Sequence, residues 1–246
     1  MSRLLVTLCT YNERGNLREL IAAVHEQVPH ATVLVIDDNS PDGTGALADE
    51  LAAADSRVVV RHRAGKLGLG SATLAGFRHA IEQQFELLLN LDADFSHPPR
   101  YIPAMLAQMG EYDVTIASRY VAGGGVAGWS LHRKLMSRGM NLVARVLLGL
   151  KTADSSGSYR CYRVARLAEI NWDLTVAAGY AFQEEILYRC ARIGCRMTEV
   201  PFVFEDRRYG VTKLTLRECT AAFLVMLRLG GQRLLRRPVR VEQPGA

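Results

Sequence analysis

The chain has no apolar run long enough to cross a bilayer, a task that takes about 20 uninterrupted residues. The longest candidate, "TAAFLVMLRLGG" near the C-terminus, is broken by Arg228. The N-terminus "MSRLLVTLCTYNE" does not read as a secretory signal, because polar and charged residues follow its short apolar stretch with no small-residue cleavage site. It reads as a first core strand. Cysteine is sparse: Cys9, Cys161, Cys190, Cys195 and Cys219 form an odd set with no C-x-x-C pair. That argues against a disulfide framework or a thiolate zinc site, and for reduced thiols in the cytoplasm. His25, His30, His62, His79 and His132 show no metal-ligand spacing. The glycine-rich "AGKLGLGSAT" lacks the G-K-[ST] ending of a P-loop and does not fit G-x-G-x-x-G, so it is expected to be a tight strand-to-helix turn carrying Lys66. Internal repeats and low-complexity linkers are also absent, which favours one domain with an appended segment.

What is present is an alternation of two periods. "RLLVTLCT" (3–10), "ATVLVIDD" (31–38), "RVVVRH" (57–62), "ELLLNLDA" (86–93) and "DVTIAS" (113–118) are nearly continuous apolar runs of strand length. Between them, "NLRELIAAVHEQV", "GTGALADELAAA", "GSATLAGFRHAIEQQ" and "PRYIPAMLAQM" carry apolar residues at helical spacing. Such alternation predicts an α/β fold, a mostly parallel sheet with helices on both faces. Beyond residue 125 the spacing predicts helices over 128–150 and 180–194, a strand over 196–206, then a terminal helix and a frayed tail.

In open α/β sheets ligands bind beyond the carboxyl ends of the strands. "TYNE", "DDNSPDGT", "DADFSHPP" and "SRYVAGGG" follow the first, second, fourth and fifth predicted strands, so four polar loops converge on one edge. Asp92 and Asp94, one residue apart where a strand ends, suit Mg²⁺ or Mn²⁺, which take one or two protein carboxylates and fill their shell with water and substrate phosphate. The alternative is that the two acids cap a helix started by Pro98 and Pro99. His97 is either a further ligand or a positioning residue.

The net charge of +5 is concentrated in "HRKLMSRGMNLVAR" and "LRLGGQRLLRRPVR". Basic faces of this kind suit phosphates, nucleic acid or acidic lipid, unless they are ordinary solvated helix surfaces. Helix 128–150 is expected to place Trp129, Leu135, Met136, Met140, Val143 and Leu147 on one apolar side, either against the core or in a membrane interface. Arg233, Arg236, Arg237 and Arg240 of the terminal segment could meet anionic headgroups.

Taken in order, "TYNE", "DDNSPDGT", "GKLGLGSA", "LDADFSHPP", "SRYVAGGG", "GWSLHRKLMSRGMN", "DSSGSYRCYR", "GYAFQEE" and "EDRRYGVTKL" resemble the signature of the polyprenol-phosphate (dolichol-phosphate) mannosyltransferases, which are family-two glycosyltransferases with the Rossmann-like GT-A fold. The resemblance spans residues 4–215 and implies a transferase domain over 1–215, followed by a basic amphipathic helix and tail over 216–246. It implies inverting transfer of mannose from GDP-mannose to the phosphate of a polyprenol, supported by Mg²⁺ or Mn²⁺. By position, Tyr11, Glu13 and Asp37 would hold the guanosine end, and Asp92, Asp94 and Ser96 the metal and diphosphate. Arg119, Arg133 and Ser137 would meet the lipid phosphate, Asp94, Arg119 and Arg133 forming the catalytic set. Gln183 and Glu184 would lie near the sugar, and Arg207 and Lys213 would close over the diphosphate. Cys9, Ser156 and Glu185 depart from the common pattern without removing a charge.

The same resemblance implies peripheral attachment to the cytoplasmic face of a membrane, alone or through a small membrane subunit, and no nucleic acid. Two alternatives stay open: another donor such as UDP-glucose, and a non-catalytic nucleotide-binding module. The chemistry is self-consistent. A phosphate monoester is already anionic at neutral pH and can attack without a general base, while the departing diphosphate needs neutralisation. No paired-carboxylate glycosidase arrangement is identifiable.

Overall fold

The computed structural model describes residues 3–176, 181–205 and 216–235. Strands form where the continuous apolar runs predict them: β1 (Leu4–Thr10), β2 (Thr32–Asp37), β3 (Val58–His62), β4 (Leu87–Asp92) and β5 (Val114–Ser118). Helices α1 (Arg14–Gln27), α2 (Thr44–Ala54), α3 (Leu69–Glu82) and α4 (Ile102–Gln108) connect them, the last entered through a 3-10 turn at Pro99–Tyr101. The runs are continuous because both faces of the sheet are covered. Leu5, Leu34, Leu88 and Ile116 point into one core, while Val6, Val33, Leu89 and Ala117 point into the other.

The main sheet has seven strands in the order β3-β2-β1-β4-β7-β5-β8, where β7 is Arg160–Arg163 and β8 is Met197–Pro201. All pairings are parallel except those of β7, which is antiparallel to both β4 and β5. The sheet is therefore mostly parallel, as expected, with one reversed strand in its middle. That reversal decides where the site lies. A strand that runs backwards begins at the edge where its parallel neighbours end, so the loop before β7, residues 154–158, joins the exits of β1, β2, β4 and β5.

The strand expected over 196–206 divides at Phe202, which is buried; its N–H donates to Ser118 O at 3.1 Å and its carbonyl accepts from Gly125 N at 3.0 Å. The chain there leaves the main sheet and pairs β9 (Val203–Phe204) with β6 (Gly125–Val126) in a second, two-stranded sheet.

Three further helices follow: α5 (Leu131–Leu148), α6 (Val164–Ala168) and α7 (Phe182–Arg192), and α8 (Leu216–Leu234) ends the described chain. Helix α5 differs from expectation in its orientation. Ala144 and Leu148 are buried, and Met140, Val143 and Leu147 pack beside them, where Met226 and Leu229 of α8 join the same core. Leu135 is not on that side; with Leu131, Leu142 and Val146 it forms an exposed apolar stripe, because α8 occupies the inner face. Arg233, expected at headgroups, donates to Val146 O at the C-terminal end of α5, and Arg236, Arg237 and Arg240 lie outside the described residues. Among the described residues no helix is long and apolar enough to cross a membrane.

Candidate active site

The exits of β1, β2 and β4 each turn on one residue in the left-handed region: Asn12 (φ 66°), Asn39 (φ 56°) and Phe95 (φ 63°). Asparagine tolerates that conformation through local hydrogen bonds, whereas for phenylalanine it is strained by about 1–2 kcal/mol. The strain at Phe95 is held by the carboxylate on its N-terminal side. Asp94 Oδ1 accepts from Ser96 N at 3.0 Å and from Ser96 Oγ at 2.5 Å, and both residues are buried. This contact makes Ser96 a support for Asp94, so the metal role expected of it is not carried forward.

Asp92 is half-buried. Its Oδ1 accepts from Ser158 Oγ at 2.7 Å, and its N–H donates to His97 Nδ1 at 3.0 Å. His97 is packed between Tyr159, stacked at 5.0 Å, and the edges of Phe202 and Phe204. Burial lowers its pKa despite the nearby Asp92 and Asp94, so the ring is neutral with Nδ1 as acceptor. Of the two readings open for His97, the geometry selects the positioning residue. Behind Asp92, burial pushes the Cys9 thiol up to about 12, leaving it a neutral packing group.

On the other side of β4, the β1 and β2 exits are tied together. Asp37 is buried and accepts from Thr10 Oγ1 (2.9 Å), Ser40 Oγ (2.6 Å) and Ser40 N (3.0 Å). The Glu13 N–H donates to Thr44 Oγ1 at 3.0 Å, and its carboxylate accepts from Asn16. Lys66 places its ammonium 4.2 Å from the Tyr11 ring centroid. Tyr11, Glu13 and Asp37 are thus brought to one place, with Asp37 holding the loop together from inside.

The basic cluster lies across the reversed strand. Arg119 binds Asp154 through Nε (2.7 Å) and Nη2 (2.6 Å), and its N–H donates to the same carboxylate at 3.0 Å. Burial raises the Asp154 carboxyl, but the Arg119 charge and hydrogen bonds outweigh it and hold the group below its ordinary value. Two of the three guanidinium nitrogens of Arg119 are therefore committed within the chain. Trp129 stands between Arg119, at 5.4 Å, and Arg133, at 3.9 Å from the ring. Tyr120 donates to Ser137 Oγ at 2.6 Å and lies against Arg119. The three expected acceptor residues form one patch, and beside it a cavity of about 810 Å³ is lined by Arg119, Arg138 and Arg145 together with Leu135 and Leu142.

Gln183 and Glu184 open α7 and are buried, with Gln183 Nε2 and Glu184 Oε2 lacking any partner among the described residues. Burial pushes the Glu184 carboxyl up to about 7. Arg160, fully buried on β7, donates to Gln183 O at 2.7 Å and Ser155 O at 2.6 Å. Glu185 turns away to pair with Arg189 at 2.5 Å. Arg207 and Lys213 lie outside the described residues.

Sequence reasoning passed over the residues that hold these groups. Asp154 anchors Arg119, Ser158 anchors Asp92, and Asn141 Oδ1 accepts from Ser155 N (2.6 Å) and Ser156 N (3.2 Å). Glu199 of β8 accepts from Ala153 N and Asp154 N at 2.7 and 2.9 Å. The only sequence signal was the concentration of short polar residues in "DSSGSYR", too hydrophilic for its neighbours unless paired.

Residues 5–170 match the family model described as glycosyl transferase family 2. The chain belongs to that family. An undecaprenyl-phosphate mannosyltransferase of Micrococcus luteus is 41% identical over 87% of this chain and 88% of its own length. A polyprenol monophosphomannose synthase of Mycolicibacterium smegmatis is 43% identical over 87% of this chain and 81% of its own. Among solved structures, mannosyl-3-phosphoglycerate synthase of Rubrobacter xylanophilus superposes with a TM-score of 0.65 at 18% identity, covering 100% of this chain and 78% of that one. Glucosyl-3-phosphoglycerate synthase of Mycobacterium tuberculosis, in complex with Mn²⁺, UDP and phosphoglyceric acid, does so with 0.64 at 17%, covering 96% and 80%. The fold is thus the GT-A type expected.

In this family 2 transferase the donor set around Asp92 and Asp94 fits a hard divalent cation: two carboxylates at one strand end, no thiolate, and an imidazole whose Nδ1 is turned to the backbone. Among the described residues no group of three His, Cys, Asp or Glu side chains could hold a metal ion. A cation held here would complete its shell from substrate phosphate and water.

Proposed function

We propose that the protein is an inverting mannosyltransferase that moves mannose from GDP-mannose to the phosphate of a polyprenol. The observation that carries this reading is the near-full-length likeness, above 40% identity, to two transferases named for mannose and a polyprenyl phosphate acceptor.

The site supports it residue by residue. Asp92 and Asp94 would hold Mg²⁺ or Mn²⁺, which when bound neutralises the departing diphosphate. Tyr11, Glu13 and Lys66 flank the β1 exit where the nucleoside would lie, and Asp37 keeps that loop in shape. Gln183 Nε2 and Glu184 Oε2 are buried polar atoms that the described chain does not satisfy. Such groups cost about 1–3 kcal/mol each when left bare, and the hydroxyls of a sugar are fitting partners. With its carboxyl at about 7, Glu184 can donate as well as accept a hydrogen bond near neutrality.

Arg133, Ser137 and the nearby Arg138 and Arg145 supply positive charge and hydroxyl for an acceptor phosphate, and Leu135 and Leu142 supply apolar wall for the first isoprene units. Arg119, largely committed to Asp154, orients Trp129 and Tyr120 more than it offers free donors. The acceptor phosphate is already anionic and attacks the sugar carbon as the diphosphate leaves, a single displacement that inverts the centre. The exposed stripe of Leu131, Leu135, Leu142 and Val146 beside Arg138 and Arg145 is the surface that would attach peripherally to an anionic membrane.

The test is a panel of GDP-mannose, UDP-glucose and related donors against polyprenyl phosphate, with Mg²⁺ or Mn²⁺ added or chelated, reading labelled sugar in the lipid extract. Transfer of mannose from GDP-mannose alone, lost on chelation, is expected. Preference for another donor overturns the assignment of the base or sugar, and binding without turnover on any acceptor overturns the enzyme reading.

A further inference from the structure

Helix α7 ends beside a cavity of about 550 Å³ lined by Lys151, Thr152, Cys195, Met197 and Glu199. The ending is a complete Schellman turn. Gly194 takes φ +79°, its N–H donates to Ala191 O at 3.1 Å, and the Cys195 N–H donates to Cys190 O at 3.0 Å. In this motif the residue three before the cap and the one two after it bring their side chains into contact, commonly as an apolar pair. Here both are cysteines, with Cys190 buried and Cys195 half-buried on the cavity wall. Cys9 and Cys161 sit on strands β1 and β7, on opposite faces of the sheet, and among the described residues neither has such a neighbour.

The surroundings of the two sulfurs are unequal. Cys190 donates its thiol hydrogen bond to Cys195, which together with burial pushes Cys190 well up. The bond from Cys190 and a second from Arg166 hold Cys195 below the usual thiol range against burial and the charge of Asp113. Arg166 is itself fixed, donating to Glu169 at 2.6 Å and to Ile193 O at 2.6 Å. A half-buried thiol on a cavity wall, beside a guanidinium and meeting a second thiol across the turn, is the arrangement of an oxidisable cysteine with its resolving partner.

We propose that Cys195 and Cys190 form a reversible oxidation site whose reactant is a small hydroperoxide. Deprotonated Cys195 attacks one peroxide oxygen; the O–O bond breaks, the sulfur loses two electrons to become a sulfenic acid, and the hydroxide or alkoxide released takes up a proton to give water or the alcohol. The Cys190 sulfur then attacks the sulfenic sulfur, forming the S–S bond and expelling the S–OH oxygen as water with the Cys190 proton. A dithiol reductant restores both thiols by exchange.

The test uses the full chain, reduced and then exposed to a small excess of hydrogen peroxide. Trypsin cuts after Arg189, Arg192 and Arg196, so the two cysteines fall on separate peptides that only a disulfide joins. The expected result is that linked pair, cleaved by dithiothreitol, while Cys9 and Cys161 stay reduced. In Cys190→Ser, dimedone should label Cys195, and iodoacetamide should alkylate Cys195 at least tenfold faster than Cys161. Labelling of Cys195 no faster than Cys161, or oxidation to sulfinic acid with no linked peptides in the unmutated chain, overturns the proposal. Circular dichroism of Cys190→Ser checks that the comparison is made on folded protein.

Discussion

Replacing Asp154 by alanine removes the carboxylate that accepts three hydrogen bonds from Arg119, at 3.0, 2.7 and 2.6 Å. Asp154 is fully buried and Arg119 is 9% exposed, so neither water nor another acid takes its place. Breaking a buried pair from one side costs about 3–5 kcal/mol, because the surviving charge stays desolvated. For a domain of this size about 2–4 °C of melting temperature accompanies each kcal/mol, so Asp154→Ala should melt about 6–20 °C lower. The pair itself contributes far less than that loss suggests, since an apolar replacement of both partners removes the stranded charge as well. Arg119→Met combined with Asp154→Leu should therefore recover much of the stability lost by Asp154→Ala, though not transfer activity. Acid adds a signature: with the Asp154 carboxyl held below its ordinary value, the pair's contribution is full above the ordinary carboxylate range and is lost as pH falls through the depressed value. Urea unfolding of the unmutated protein, Arg119→Met, Asp154→Leu and the double variant, with Asp154→Ala alongside, at two pH values closes the cycle. A loss below about 1 kcal/mol in Asp154→Ala, or single losses that simply add in the double variant, would refute the reasoning.

Glu184 has the opposite sign: its folded value of about 7 lies above its ordinary 4.5, so the native state binds a proton the unfolded chain has released. That stabilising contribution is present below the ordinary value and is lost as pH rises through 7, a swing of about 3 kcal/mol; urea midpoints of Glu184→Gln should lack this decline, and parallel curves for the two proteins would reject it. Asp94→Ala should abolish mannose transfer with an unchanged circular dichroism spectrum, and full activity would remove Asp94 from the metal site. Ser158→Ala, which frees Asp92 of its 2.7 Å hydrogen bond, should raise the Mn²⁺ concentration for half-maximal activity severalfold while sparing the nucleotide KM. Leu131→Glu with Val146→Glu should remove sedimentation with vesicles rich in anionic lipid, leaving the melting temperature within about 2 °C, because both side chains are exposed.

The legible part of the fold was the part written in continuous apolar runs. β1, β2, β4 and β5 begin and end within a residue or so of the runs that predict them, because strands buried on both faces exclude polar residues until they stop. The acidic loops at their ends were legible for the same reason. β7 was not: "RCYR" is four residues long, half of them arginine, and the full burial of Arg160 is set by carbonyls of Ser155 and Gln183 that lie elsewhere in the chain. The outward stripe of α5 was also hidden, since helical spacing shows that apolar residues recur but not which set a later helix will cover.

A sequence displays where charge is, and the structure displays where charge is already spent. Arg119 and Arg133 look alike in the sequence, yet one is bound through two of its nitrogens to Asp154 and Ser156 and the other is stacked on Trp129. Asp37 and Asp92 likewise both end apolar strands, but Asp37 is buried under three donors while Asp92 stays half-open. The difference follows from the reversed strand. By bringing 154–158 to the edge where its neighbours end, β7 supplies Asp154 to Arg119 and Ser158 to Asp92 from a single short loop, which Asn141 and Glu199 then fasten to α5 and β8. One loop thereby fixes both the basic and the acidic half of the site. A change that loosens it, such as Asn141→Ala, should depress metal dependence and acceptor use together, whereas independent effects on the two would separate the halves this geometry joins.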